Sequence, residues 1–89
     1  MNHVVKRKGH AEVYDARKLY ASIYSACTAV RETQGASELI AEKVVASVEE
    51  WLEKKHEVTS KDIKRVAHTH LDTYNREAAY LYNSHGIVW

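Results

Sequence analysis

The 89-residue chain predicts a small α+β fold, mostly helical, in which a short sheet lies on four helices. Three observations carry that prediction. A strand–turn–strand pattern opens the chain and runs straight into a helix start. Three long stretches then repeat apolar residues at helical spacing. The chain has no proline and only three glycines, so nothing resembles a linker between separate units. At this length the expectation is one domain, residues 1–89, with a modest core and no separate lobes.

The opening hairpin is expected over 3–8 and 11–14, with Lys8-Gly9 at the turn. Gly9 supplies the positive φ that a tight turn requires. A two-residue turn sets Arg7 against His10, Lys6 against Ala11 and Val5 against Glu12. Closing it is expected to fold Lys6, Arg7 and Lys18 back towards Glu12 and Asp15 as one compact polar cluster. Asp15 suits the N-cap of the helix that follows. Such a cluster fits a small anionic ligand with a polar ring. The same lysines and arginine would also keep an edge strand soluble, and composition alone favours that role.

Leu19, Ile23, Ala26, Cys27 and Val30 form the first stripe, reaching about Thr33, with Tyr20 and Tyr24 widening it. Gln34-Gly35-Ala36-Ser37 reads as a breaker followed by a cap. Ile40, Val44, Val48, Trp51 and Leu52 form the second stripe, ending near the cations Lys54-Lys55. His56-Glu57-Val58 is a short extended candidate. Thr59-Ser60-Lys61-Asp62 matches a capping box, and Ile63, Val66, Ala67, His70, Leu71 and Tyr74 follow as the third stripe. Asn75 is a cap for a last helix carrying Ala78, Ala79, Leu81 and Tyr82, with Gly86 as its stop. A lone hairpin is only marginally stable in water, so the sheet must lie on the helices.

Several chemistries drop out. Thirteen Lys+Arg against twelve Asp+Glu leave a charge of +1, with no overall field for nucleic acid. No apolar run is long enough to span a membrane, and no signal segment opens the chain. The single cysteine excludes an internal disulfide and points to a reducing, cytoplasmic setting. Cys27 falls on an apolar stripe, where packing outweighs nucleophilic work. The three glycines are too far apart for a phosphate loop. His68 and His70 point to different helix faces, which disfavours a metal. No Ser, His and Asp spacing singles out a triad, so catalysis is not expected. The tyrosines should pack on the core with hydroxyls towards solvent. The apolar tail Ile87-Val88-Trp89 either folds back or meets another chain.

The run Val4-Val5-Lys6-Arg7-Lys8-Gly9, then Glu12-Val13-Tyr14-Asp15, then Lys18-Leu19, resembles the opening motif of the ATP-cone domain. That module sits at the N-terminus of many ribonucleotide reductases and inside the bacterial repressor of their genes. The resemblance is specific over 4–19 and collinear beyond it, through Val58-Thr59-Ser60 to the tyrosine-rich last helix. It implies a four-helix bundle capped by a small three-stranded mixed sheet, and ATP or dATP as ligand beneath the hairpin, with Mg2+ as a companion ion.

Position by position, the resemblance implies that Lys6, Arg7 and Lys18 meet the phosphates and Val4 lies beside the base. Glu12 and Asp15 match polar positions near the adenine, where a carboxylate accepts from the exocyclic amine. Thr59 and Ser60 match a phosphate-facing helix start, with one residue of slack, and Lys64 a position near the sugar. Lys8 departs from the usual acidic turn residue. The 89 residues carry neither a reductase domain nor a zinc ribbon. The implied function is therefore a nucleotide-sensing regulatory module, not an enzyme, acting through self-association or a partner protein. The alternative is a protein- or nucleic-acid-interaction domain that keeps the fold without a nucleotide.

Overall fold

The computed structural model describes residues 3–7 and 9–84. Among these, the chain forms β1 (Val4–Arg7), β2 (His10–Val13), α1 (Ala16–Ala29), α2 (Gln34–Leu52), β3 (Glu57–Thr59), α3 (Ser60–Tyr74) and α4 (Arg76–Ser84). The fold is α+β and mostly helical, as expected. Lys8, the expected stop at Gly86 and the tail Ile87-Val88-Trp89 lie outside the described residues.

The sheet runs β2-β1-β3. The β1–β2 pair is antiparallel with Arg7 opposite His10, Lys6 opposite Ala11 and Val5 opposite Glu12, the register that a two-residue turn dictates. Gly9 takes φ 87°, where a side chain would be strained. β3 pairs in parallel with β1, Val5 opposite Val58. It spans 57–59 rather than 56–58. That register sets Val58 beside Val5 on the buried face, with Val5 and Val58 only 0% and 3% exposed.

The four helices form the body beneath. Leu19 and Ile23 of α1, Val44 and Val48 of α2, Ile63 and Leu71 of α3, and Ala78 and Ala79 of α4 share one core with Val5 and Val58. Cys27 belongs to that core and is fully buried. Most of each expected stripe therefore faces inward, because a period near 3.6 gathers those residues on one side of a helix; Tyr74, at the end of the third stripe, is 45% exposed instead.

The break between α1 and α2 lies earlier than expected. α1 stops at Ala29, and Arg31 takes a left-handed φ of 69°. The N-cap of α2 is Thr33, whose side chain accepts from the Ala36 N–H at 3.1 Å. Gln34-Gly35-Ala36-Ser37 is thus the first turn of α2, not a breaker, and Ser37 is buried inside it. Asn75 works as expected: its Oδ1 accepts from the Ala78 N–H at 2.9 Å, and its Nδ2 donates to Glu32 at 2.7 Å. One side chain thereby starts α4 and ties it to the α1–α2 turn.

The tyrosines divide. Tyr20 and Tyr24 stack with ring centroids 6.2 Å apart, and Tyr80 is largely exposed. Tyr82, against expectation, is 1% exposed and its hydroxyl has no hydrogen-bond partner. The small residues Ala78 and Ala79 on the same helix let α4 approach closely and bury the ring whole. An unpaired buried hydroxyl costs about 1–3 kcal/mol. Tyr82→Phe should therefore leave stability unchanged or raise it by about 1 kcal/mol, read as the urea midpoint at constant m-value. A loss above about 1 kcal/mol would show that the hydroxyl is paired in solution.

Candidate functional site

Strand alternation decides where the hairpin's polar groups go. Val5, Glu12 and Val58 occupy one cross-strand row, and the burial of both valines fixes that row on the helix side. Glu12 is half-buried there, and its Oε1 is enclosed with no hydrogen-bond partner. The flanking rows, Val4 with Val13 and Glu57, and Lys6 with Ala11 and Thr59, face the opposite side. Val4 and Val13 are 41% and 60% exposed. The hairpin therefore does not gather its charges into one compact cluster. Lys6 pairs with Ala11 and Glu12 with Val5, so the two charges stand in adjacent rows and fall on opposite sides by period-two alternation. Arg7 has its backbone in β1 opposite His10, and its side chain lies outside the described residues.

Lys6 is not free. Its Nζ lies 3.3 Å from Glu57 Oε2 across the β1–β3 pair. Because Glu57 stands opposite Val4 and Thr59 opposite Lys6, the two charged side chains are diagonal neighbours on the outer face. Lys6 is also the cross-strand neighbour of the residue that immediately precedes α3.

Two helix starts supply the remaining candidates. Asp15 caps α1, its Oδ1 accepting from the Arg17 N–H at 2.9 Å. Lys18 is exposed in the same first turn, its N–H donating to the Asp15 carbonyl at 3.2 Å. At α3, Thr59 Oγ1 accepts from the Asp62 N–H and Asp62 Oδ2 accepts from the Thr59 N–H, each at 3.1 Å. This capping box satisfies two groups and leaves the Ser60 and Lys61 N–H groups without intrahelical acceptors. The Thr59 oxygen expected to face a ligand is thus already an acceptor within the cap. Ser60 and Lys64 are half-buried, one turn apart along α3.

Some positioning contacts had no local signal in the sequence. The Tyr14 hydroxyl donates to Glu49 Oε2 at 3.1 Å, joining the hairpin–α1 corner to α2 across 35 positions. Burial first, then the Glu49 charge, pushes that phenol well above its ordinary pKa. Lys55 is tied to the strand entry, because His3 Nε2 lies 3.0 Å from its carbonyl oxygen. The Cys27 thiol is pushed up to about 11, mainly by burial, so it is not a nucleophile near neutral pH. Among the described residues no cluster of His, Cys, Asp or Glu could hold a metal ion, and no helix is long and apolar enough to cross a membrane.

A three-stranded mixed sheet is seated on four helices, with an orphaned carboxylate oxygen under the hairpin and the capped start of α3 beside β1. The chain belongs to the ATP cone domain family, whose model matches residues 2–82. That family comprises nucleotide-binding regulatory domains that take ATP or dATP. No curated protein and no solved structure matches the chain.

The capping box sets a pH dependence. The Thr59 backbone N–H, ahead of the Thr59 hydroxyl and Arg65, holds the Asp62 carboxyl below its usual range. A depressed carboxylate pKa stabilises the fold above the unfolded value, and that contribution is lost as pH falls through the folded value. Asp62→Ala should cost about 1 kcal/mol at pH 7. Urea melts should show the gap between wild type and variant closing as pH falls through the carboxylate range. A gap that persists unchanged in acid would remove the ionised cap as its cause.

Proposed function

We propose that this chain is a sensor of adenine nucleotides, binding ATP or dATP beneath the hairpin and passing the signal to a second copy or a partner protein, with no catalysis of its own. The observation that carries the reading is the buried Glu12 Oε1 without a partner on the helix side of the sheet. Enclosing a carboxylate oxygen with no donor is unfavourable, and an exocyclic amine supplies the missing donor. Guanine would present a carbonyl there, setting oxygen against oxygen.

The phosphate end is supported at α3. The Lys61 N–H lies in the first turn of α3, where the macrodipole favours an anion. Lys6 faces the outer side of the sheet beside Thr59, the last residue of β3, so it would reach the phosphates round that end, and Lys64 lies a turn inside the helix. β2 and β3 are separated by two strand spacings, about 10 Å, a distance that a nucleoside triphosphate covers. Mg2+ would accompany the phosphates, and Lys18, Arg7, Val4 and Asp15 complete the proposed set. A cytoplasmic location is part of the proposal and rests on the lone, buried thiol of Cys27.

Thermal melts and calorimetric titrations with ATP, dATP and GTP test this reading. ATP and dATP should raise Tm, by the equivalent of about 2.7 kcal/mol at a hundredfold excess over Kd, and GTP should do so markedly less. Lys6→Ala and Lys18→Ala should each weaken binding with little loss of stability, and Glu12→Ala should erase the preference for ATP over GTP. No change of Tm with millimolar ATP would overturn the proposal.

A further inference from the structure

The Lys6–Glu57 contact raises a question that a solubility role for Lys6 does not answer. β1 is the central strand, and both neighbours contribute to its outer face: Ala11 and Val13 from β2, Glu57 and Thr59 from β3. On that face Lys6 meets one carboxylate, at 3.3 Å, and both side chains remain more than half exposed, 56% and 59%. An exposed pair of this kind contributes between nothing and about 1 kcal/mol. It is thus weak enough to be broken by a ligand and close enough to occupy the ammonium while no ligand is bound.

We infer that Glu57 is an internal competitor for Lys6, holding its ammonium on the outer face of the sheet until the phosphates of an anionic ligand displace it. The inference rests on the nucleotide-binding reading and adds a residue that the site's own donors do not include. Two features of β3 make it specific. Glu57 and Thr59 alternate onto the same face, so the competing carboxylate and the residue that caps α3 flank Lys6 together. Glu57 is also two residues before the cap, too far back to stabilise the α3 dipole. Its charge acts on Lys6, and through Lys6 against binding.

The consequence is a ceiling on affinity that a single substitution lifts. Glu57→Gln keeps the shape of the side chain and its exposed position while removing the charge. Calorimetric titration of the full chain with ATP should give a Kd about two- to fivefold tighter for Glu57→Gln than for wild type, the range that an exposed pair allows. In a Lys6→Ala background the same change should have no effect on Kd, because nothing remains to be released. Glu77→Gln, an exposed carboxylate on α4, reports the general effect of one charge fewer.

If ATP binds wild type and Glu57→Gln leaves Kd unchanged, the competitor role is overturned while the nucleotide reading stands. An equal gain with and without Lys6, or an equal gain from Glu77→Gln, also overturns it, leaving only long-range charge. If ATP binds none of the forms, both readings fall together.

Discussion

The arrangement depends on one non-local contact, the parallel pairing of β1 with β3 that sets Val5 beside Val58. A hairpin of two four-residue strands has too little apolar surface to persist alone. Adding β3 joins it to the loop between α2 and α3, and the two valines then share the core with all four helices. The same pairing brings Lys6 next to Thr59 and so delivers the hairpin's cation to the start of α3. Fold stability and site geometry therefore rest on the same backbone ladder. Weakening it would loosen the hairpin and separate the two ends of the proposed ligand at once.

Secondary contacts reinforce that seat at the open end of the hairpin. His3 reaches the Lys55 carbonyl just before β3, while Tyr14, whose N–H donates to the His3 carbonyl, reaches Glu49 on α2. The base of the hairpin is thus tied to α2 and its following loop. β2, by contrast, pairs on one side alone. An element held at its base and open along its edge can shift more cheaply than the core beneath it. A ligand that favours one seating of the hairpin would bias that equilibrium by its differential affinity and nothing more. What it could transmit is a change in the outer sheet face, where Val4 and Val13 are already exposed.

Much of this was legible in the sequence, for identifiable reasons. Gly9 and the residues flanking it fixed the hairpin register because a two-residue turn allows no other pairing of its neighbours. The apolar stripes of the helices were readable because their period does not depend on what they pack against. Thr59 and Asp62 announced α3 through local hydrogen bonds alone. The α1–α2 boundary is hard to read because the left-handed position falls to Arg31, a residue with no special preference for it, while Gly35, four residues on, lies inside the first turn of α2. Tyr82 was misjudged because burial of a hydroxyl is decided by how closely a neighbouring helix approaches, which the small residues of α4 permit. The family resemblance supplied the third strand's role; spacing alone left β3 a short extended segment.

The division of charge between the two faces of the sheet is the part that neither pattern nor resemblance made plain. Reading the hairpin as a polar cluster treats neighbours in sequence as neighbours in space, yet alternation sends Lys6 outward and Glu12 inward. The two then carry different electrostatic duties. Glu12 is enclosed, and its orphaned oxygen gains most from a donor placed in low dielectric, where one hydrogen bond discriminates between bases. Lys6 stands in solvent, where its attraction for a phosphate is screened and shared with Glu57. Base selectivity and phosphate affinity would therefore be set by separate residues on separate faces. A carboxylate on the outer face could then tune how tightly a nucleotide is held without altering which base is chosen, which is the separation that a sensor of changing concentrations needs.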